Sequence, residues 1–206
     1  MLEWMHDGNE LEVVNGRVVK TARAIYETDI KNIEFISSIT DPFSVAKAQK
    51  MALKLVKENV RVVGLDCEWD WKNHDDGNLP VMQLATSTVT YVLHQLPRLP
   101  PRLQFILESK DIKKVGVAVQ GDLDRLGRKY DFIPSGAFDL RQMAENATGE
   151  RQWSLETMAR TFLNLQIIKD DKIRRSKWSD QLSLEQIKYA ATDADISLLI
   201  HDHFMN

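Results

Sequence analysis

Two carboxylates stand two residues apart in the stretch VVGLDCEW, residues 62–69: Asp66 and Glu68. The stretch reads as a buried strand, rich in β-branched and apolar residues. Side chains alternate along a strand, so Val63, Leu65, Cys67 and Trp69 cover one face while Val62, Gly64, Asp66 and Glu68 line the other. Neighbouring carboxylates on so apolar a strand repel each other and lose solvation. Asp193 poses the same problem on a helix, where Tyr189, Asp193, Ile196 and Ile200 form an apolar stripe around it. A fourth acid, Asp122, follows a strand and a glycine in VGVAVQGDLDRL, at a strand exit where α/β sheets usually carry functional groups. If the four converge, they supply the hard oxygen ligands that Mg²⁺ or Mn²⁺ prefers. Two such ions about 4 Å apart would stabilise both the attacking and the leaving oxygen of an in-line phosphoryl displacement.

Each residue also has a plainer reading. Asp122 taken alone fits a helix N-cap better than a ligand, and Asp193 alone could pair with a basic residue in the core. Tyr189 alone fits a half-buried aromatic on a core stripe. Asp66 and Glu68 are harder to set aside, because one strand face holds both. Asp124 reads as a solvated helix residue, Asp139 and Asp195 have the same plain reading, and Cys67 reads as core. His74 with Asp75 and Asp76 fits a polar loop better than a metal site.

These groups need a scaffold, and the pattern predicts one. LEVVNGRVVK holds two short apolar runs around Asn15-Gly16, a hairpin signal, within a first thirty residues that read as an extension. IEFIS (33–37) is a strand, and Asp41-Pro42 starts a helix carrying Val45, Ala48, Ala52 and Leu55. RVVGLDCEW, VMQLAT (81–86) and TYVLH (90–94) are strands joined by short connections, hence an antiparallel meander. A helix around 103–107, a strand at 115–119, a helix over 122–130, a strand at 137–140 and a helix over 154–165 follow. The last helix spans 183–204, opened by Ser183 and Gln186 at capping-box spacing. It carries a second apolar stripe of Leu184, Ile187, Ala191, Ala194 and Leu198. The order implies an α/β fold: a mixed sheet, antiparallel first and parallel after, flanked by helices.

The totals bound the function. The 206 residues, 43% of them hydrophobic and 28% charged, suffice for one sizeable core. One cysteine excludes an internal disulfide framework and a multi-cysteine zinc site. No apolar run is long enough for a membrane span, and MLEWMHDGNE does not resemble a secretory signal. The expectation is an intracellular protein, nuclear or cytoplasmic, with no membrane partner. A formal net charge of -3 argues weakly against a purely electrostatic nucleic-acid binder, although clustered metal-binding acids would be part of that count.

The motifs together resemble the DEDD superfamily of 3′–5′ exonucleases, in its tyrosine-bearing branch. Asp66-Cys67-Glu68 matches that family's first motif, Asp122 its second, and YAATD (189–193) its third, Tyr-x-x-x-Asp on a helix. The histidine-bearing branch would need a histidine where this chain has Lys188. The flanks VMQLAT, WSLETMARTFL and KIRRSKWS extend the likeness from about residue 33 to the C-terminus. It looks closest to Werner-syndrome-type exonuclease domains, with ribonuclease D further off.

The resemblance implies an RNase H-like domain over residues 31–206, after an extension over 1–30, and a 3′–5′ exonuclease releasing nucleoside monophosphates from DNA or RNA. By it, Asp66 and Asp193 hold a first Mg²⁺ or Mn²⁺, with Glu68 helping that ion or a water. Asp66 bridges to a second ion, which Asp122 reaches directly or through water. Tyr189 orients the attacking water or hydrogen-bonds the scissile phosphate. Gln83 and Leu84 become candidates for separating the terminal bases. KIRRSKW offers Arg174, Arg175, Lys177 and Trp178 for backbone phosphates and a stacked base, and RLGRK (125–129) adds charge near the second motif. Trp178 fits equally as an anchor for its loop against the last helix. Single-stranded or recessed 3′ ends are the expected substrates; a helicase or other protein partner stays open. The competing reading is a catalytically silent nucleic-acid-binding or scaffold domain on the same fold, against which the presence of every motif residue counts. An RNase H-type endonuclease would lack the Tyr-x-x-x-Asp helix.

Overall fold

The structure is a computed structural model that describes residues 10–14, 17–21, 24–70 and 81–205. Its strands and helices, in chain order, are β1 (Glu10–Val14), β2 (Arg17–Thr21), β3 (Ala24–Tyr26), β4 (Ile33–Ser37), α1 (Ser44–Lys57), β5 (Val62–Glu68), β6 (Val81–Ala85), β7 (Thr90–His94) and α2 (Pro101–Glu108). There follow β8 (Lys113–Gly116), α3 (Val119–Tyr130), β9 (Ala137–Asp139), α4 (Leu140–Thr148), α5 (Leu155–Leu163), β10 (Leu165–Ile167), α6 (Asp171–Arg174) and α7 (Leu184–Met205).

Six strands form the central sheet in the order β4-β7-β6-β5-β8-β9. β5, β6 and β7 are the expected antiparallel meander, while β4, β8 and β9 join it in parallel. β1 and β2 pair antiparallel, with Val14 opposite Arg17; their Asn15-Gly16 turn lies outside the described residues, as do His74, Asp75 and Asp76.

The alternation expected for β5 holds. Val63, Leu65 and Cys67 enter a core shared with residues of α1, α2 and α3, and Trp69 packs against it. Val62, Gly64, Asp66 and Glu68 turn to the opposite face, where α7 lies across β5, β6, β7 and β8. Ala194, Ile196, Leu198 and Ile200, from the middle of that helix onward, pack with residues of α4 and α5. Tyr189, Ala190 and Ala191, nearer its start, pack with Val81, Val92 and Trp178. Each cluster takes residues from both apolar stripes, so the helix is buried on two sides along most of its length, except that Leu184, its first residue, is exposed. The start signal is as expected: Ser183 N donates to Gln186 Oε1 at 2.9 Å and Gln186 N to Ser183 Oγ at 3.3 Å.

Several boundaries and elements differ from the sequence pattern. Asp41-Pro42 precede α1, which starts at Ser44; Asp41 instead accepts from Phe43 N at 2.8 Å in the turn before the helix. The strand expected over 115–119 ends at Gly116, because Ala118 takes a left-handed conformation, φ 55°. That turn lets α3 begin at Val119, so Asp122 lies inside the first turn and is not the N-cap. α4 was not expected; Asp139 caps it, accepting from Arg141 N at 3.0 Å, and Gly149 ends it at φ 77°. β3 and β10 form a separate parallel pair, Ala24–Tyr26 against Leu165–Ile167.

Candidate active site

Asp66, Glu68 and Asp193 each present a carboxylate oxygen, and these atoms lie within 4.8 Å of one another. Strand geometry gives the first two, on one face of β5. The third depends on how closely α7 approaches that strand. Gly64 makes the approach possible: a Cβ built there would stand 2.0 Å from the Ala194 carbonyl oxygen. Helix and strand therefore touch backbone to backbone, and Asp193 is brought down beside Asp66.

The charges are expensive, as the sequence implied. Burial pushes the Asp66 carboxyl well above the usual range, and the nearby charges of Asp122 and Asp193 push it further. Glu68 is raised in the same way, by burial and then by Asp66 and Asp193. Asp193 is raised by burial, against the pull of Lys169. Asp122, on α3, is not one of the three clustered acids, but its charge is the largest acting on Asp66; burial holds its own carboxyl at about 7.

Tyr189 sits one turn before Asp193 and is buried. Burial, followed by the charges of Asp193, Glu68 and Asp66, raises its phenol above the ordinary value. It is thus a protonated hydrogen-bond donor at neutral pH, as an orienting group must be. Its ring packs against Trp178, centroids 6.1 Å apart.

Lys169 escaped the sequence reading. Its Nζ donates to the Asp193 carboxylate and lies 5.1 Å from the Tyr189 ring centroid. The plainer reading of Asp193, a core ion pair, is therefore present alongside the acid cluster. Lys169 stands three residues before the basic stretch that drew notice, where only its charge could have marked it.

The remaining candidates divide. Gln83 lies opposite Asp66 in the strand pairing and is fully buried, and both atoms of its amide lack a hydrogen-bond partner among the described residues. Leu84 is fully buried on the other face, in the core with Leu65. Trp178 is also fully buried, its Nε1 donating to the Arg174 carbonyl at 3.2 Å, so its ring has no face for a base. The loop-anchor reading describes it. Asp70, just past β5, accepts from Trp178 N at 2.5 Å, Ser179 N at 3.1 Å and Ser179 Oγ at 2.6 Å, which ties the basic loop to the strand carrying the acids. Arg174 and Lys177 are exposed and pair with Asp171 and Asp180; Arg175 approaches Asp171 at 3.6 Å. Asp124 accepts from Gln120 Nε2 at 2.7 Å, and Lys188 pairs with Glu27 at 2.8 Å. Asp195, expected to be solvated, is instead half-buried and accepts from Tyr26 and Thr28.

Three converging carboxylates, a fourth beside them and an orphaned amide opposite Asp66 form an all-oxygen donor set suited to a hard divalent cation. An acid cluster between a mixed sheet and its covering helix suits metal-assisted phosphoryl chemistry.

The comparisons with known proteins agree. The family model described as a 3′–5′ exonuclease matches residues 37–206. The chain belongs to the 3′–5′ exonuclease family, a class of hydrolases that cut nucleic acid. It is 31% identical over 193 residues to the bifunctional 3′–5′ exonuclease/ATP-dependent helicase WRN of Mus musculus, covering 89% of this chain and 14% of that protein. It is 34% identical over 164 residues to exonuclease 3′–5′ domain-containing protein 2 of the same species, covering 74% of this chain and 25% of that one. The chain thus spans a quarter or less of these relatives. Its fold is similar to that of Escherichia coli RNase D, with a TM-score of 0.69 at 20% identity over 84% of this chain and 44% of that one. Among the described residues, no helix is long and apolar enough to cross a membrane.

Proposed function

We propose that the chain is a metal-dependent 3′–5′ exonuclease, removing nucleoside monophosphates one at a time from the 3′ end of DNA or RNA. The observation that carries this is the convergence of Asp66, Glu68 and Asp193 within 4.8 Å, with Asp122 acting on Asp66 from α3. Asp66 and Asp193 would hold a first Mg²⁺ or Mn²⁺, with Glu68 on that ion or on a water. Asp66 and Asp122 would share a second. Bound there, the cations lower the pKa of a water and neutralise charge developing on the scissile phosphate.

The protein's own groups do the rest. The Tyr189 phenol, protonated and one turn from Asp193, donates a hydrogen bond to the attacking water or to a phosphate oxygen. Lys169 stands against Asp193 and Tyr189, a cation beside the acids in the metal-free protein. The exposed Arg174, at the end of α6, and Arg175 and Lys177, in the loop after it that Asp70 ties to β5, suit backbone phosphates. Gln83 and Leu84 are fully buried, Leu84 in the core on the other face of the sheet, which counts against their separating terminal bases.

We read residues 31–206 as the exonuclease domain and 1–30 as an extension. In support, β1 and β2 pair with each other and not with the central sheet, and the family match begins at residue 37, although β3 and Thr28 bond to β10 and α7 of the domain. Substrates are single-stranded or recessed 3′ ends; the setting is the nucleus or cytoplasm, and a helicase or other protein partner is left open.

The test uses 5′-labelled single-stranded DNA, single-stranded RNA and a recessed duplex, each with Mg²⁺, Mn²⁺ or EDTA, and compares wild type with Asp66→Ala. The expected result is a ladder shortening from the 3′ end, absent with EDTA and in the variant. Asp66→Ala should cost more than the ~10–100-fold typical of losing an outer-shell partner of a metal. Folded wild-type protein that binds these strands but cleaves none with either metal would favour the silent binding domain.

A further inference from the structure

Arg125 opens the basic run RLGRK and is a cation near the second-motif acid. It stands three residues after Asp122 on α3, so the two side chains share a helix face. Its guanidinium carbon lies 4.0 Å from the centroid of the Trp69 ring, and Trp69 directly follows Glu68 at the end of β5. The contact therefore joins the two elements that carry Asp66, Glu68 and Asp122. A guanidinium held over an aromatic ring can still use its N–H groups for hydrogen bonds. Among the described residues, no hydrogen bond or ion pair uses that edge, although Arg174, Arg175, Lys177 and Arg141 all pair with carboxylates. Arg125 is half-buried, so some of its flexibility is already spent in the folded protein. Its charge also favours the ionised form of Asp122, which places it close to the acids.

A planar fork of donors, held over an indole and making no ion pair among the described residues, is suited to a bidentate oxyanion. The acid cluster, by contrast, repels anions until cations fill it. We propose that Arg125, held against Trp69, grips a backbone phosphate of the nucleic-acid strand whose 3′ end lies over the acids. This deepens the exonuclease reading and rests on it for the identity of the anion. Arg125 is then a substrate-binding residue, and Trp69 the positioning residue behind it.

The test measures binding of a 5′-labelled single-stranded oligonucleotide in Ca²⁺ and in EDTA across a salt series, for wild type, Arg125→Met, Arg125→Lys and Trp69→Leu. Melting curves confirm that each variant is folded. Arg125→Met is expected to weaken binding about tenfold and to flatten the plot of log K against log salt by about 0.7, the slope of one phosphate contact on a single strand. Arg125→Lys, which keeps the charge but loses the fork, should retain the wild-type slope with weaker binding. Trp69→Leu should weaken binding with the slope retained. A residue that only supported the fold would leave the slope unchanged in Arg125→Met, and that result overturns the proposal. So does a wild type that binds no strand. Cleavage is scored separately in Mg²⁺: slope loss in Arg125→Met with an inactive wild type would uphold the phosphate contact while removing the exonuclease reading. Normal cleavage in both proteins with equal slopes would do the reverse.

Discussion

At the scale of single residues, the acids explain themselves by their cost. Asp122 ionises at about 7 in the folded protein without metal, against an ordinary value of 3.8. The folded state therefore keeps a proton that the unfolded chain has already released across that interval, and stability falls as pH rises through it. Asp66, Glu68 and Asp193 are raised in the same direction and add to the fall. In EDTA, the wild-type melting temperature should drop between about pH 4 and about pH 7, and Asp122→Asn should make that drop shallower. Melting curves at several pH values check it; equal slopes in the two proteins would show that Asp122 is not held in this state. Tyr189→Phe removes one hydrogen-bond donor to a charged group, a loss of about 1.5–3 kcal/mol, and should lower kcat roughly 10–100-fold while leaving KM near its wild-type value. Steady-state kinetics read that split. The acids were legible because carboxylates on apolar faces break the local pattern. Lys169 was not, since a lysine in the polar run KDDKIRR breaks none, and its approach to Asp193 exists only in three dimensions.

The elements convert sequence neighbours into a site. β5 supplies two acids by its alternation, and α7 supplies a third by lying against it at Gly64. Gly64→Ala would drive a methyl group into the Ala194 carbonyl, and no side-chain rotation relieves a clash with backbone. The helix must move off the strand, carrying Asp193 with it. The expected result is a stability loss of at least ~1–3 kcal/mol together with weaker metal binding, measured by melting and by Mn²⁺ titration of the same sample. Retention of wild-type metal affinity would separate the Gly64 contact from the site. The meander and the capped last helix were readable because their signals are local: alternation, short connections, Ser183 and Gln186. The start of α3 was not. Ala118 takes a left-handed turn with no glycine to announce it, so the apolar run VGVAV looked like strand to its end. α4 was missed although its cap and its terminal glycine were both present, because LRQMAENAT is short and mostly polar.

On the scale of the whole molecule, the N-terminal segment closes on the back of the metal-site helix. β3 pairs with β10, Tyr26 and Thr28 donate to Asp195, and Thr28 N donates to Thr192 Oγ1 at 3.1 Å. Asp195 stands two residues from Asp193, so the strap holds the face of α7 turned away from Asp193. Asp195→Ala leaves two hydroxyl donors without their acceptor and should cost ~1–3 kcal/mol of stability, read as a lower melting temperature. An unchanged melt would mean that the strap adds nothing to the fold. No sequence signal marks this closure. A three-residue parallel pair joins segments far apart in the chain, and Asp195 alone looks like any acid on a helix.

The claim beneath all of this is that buried carboxylates are tolerated because they hold metal. Titrating Mn²⁺ into the protein without nucleic acid, for wild type and Asp66→Asn, measures that directly. Saturable binding by the wild type, accompanied by a rise in melting temperature and abolished or greatly weakened in the folded variant, is the predicted result. No binding by folded wild-type protein, or equal binding by both, would contradict it.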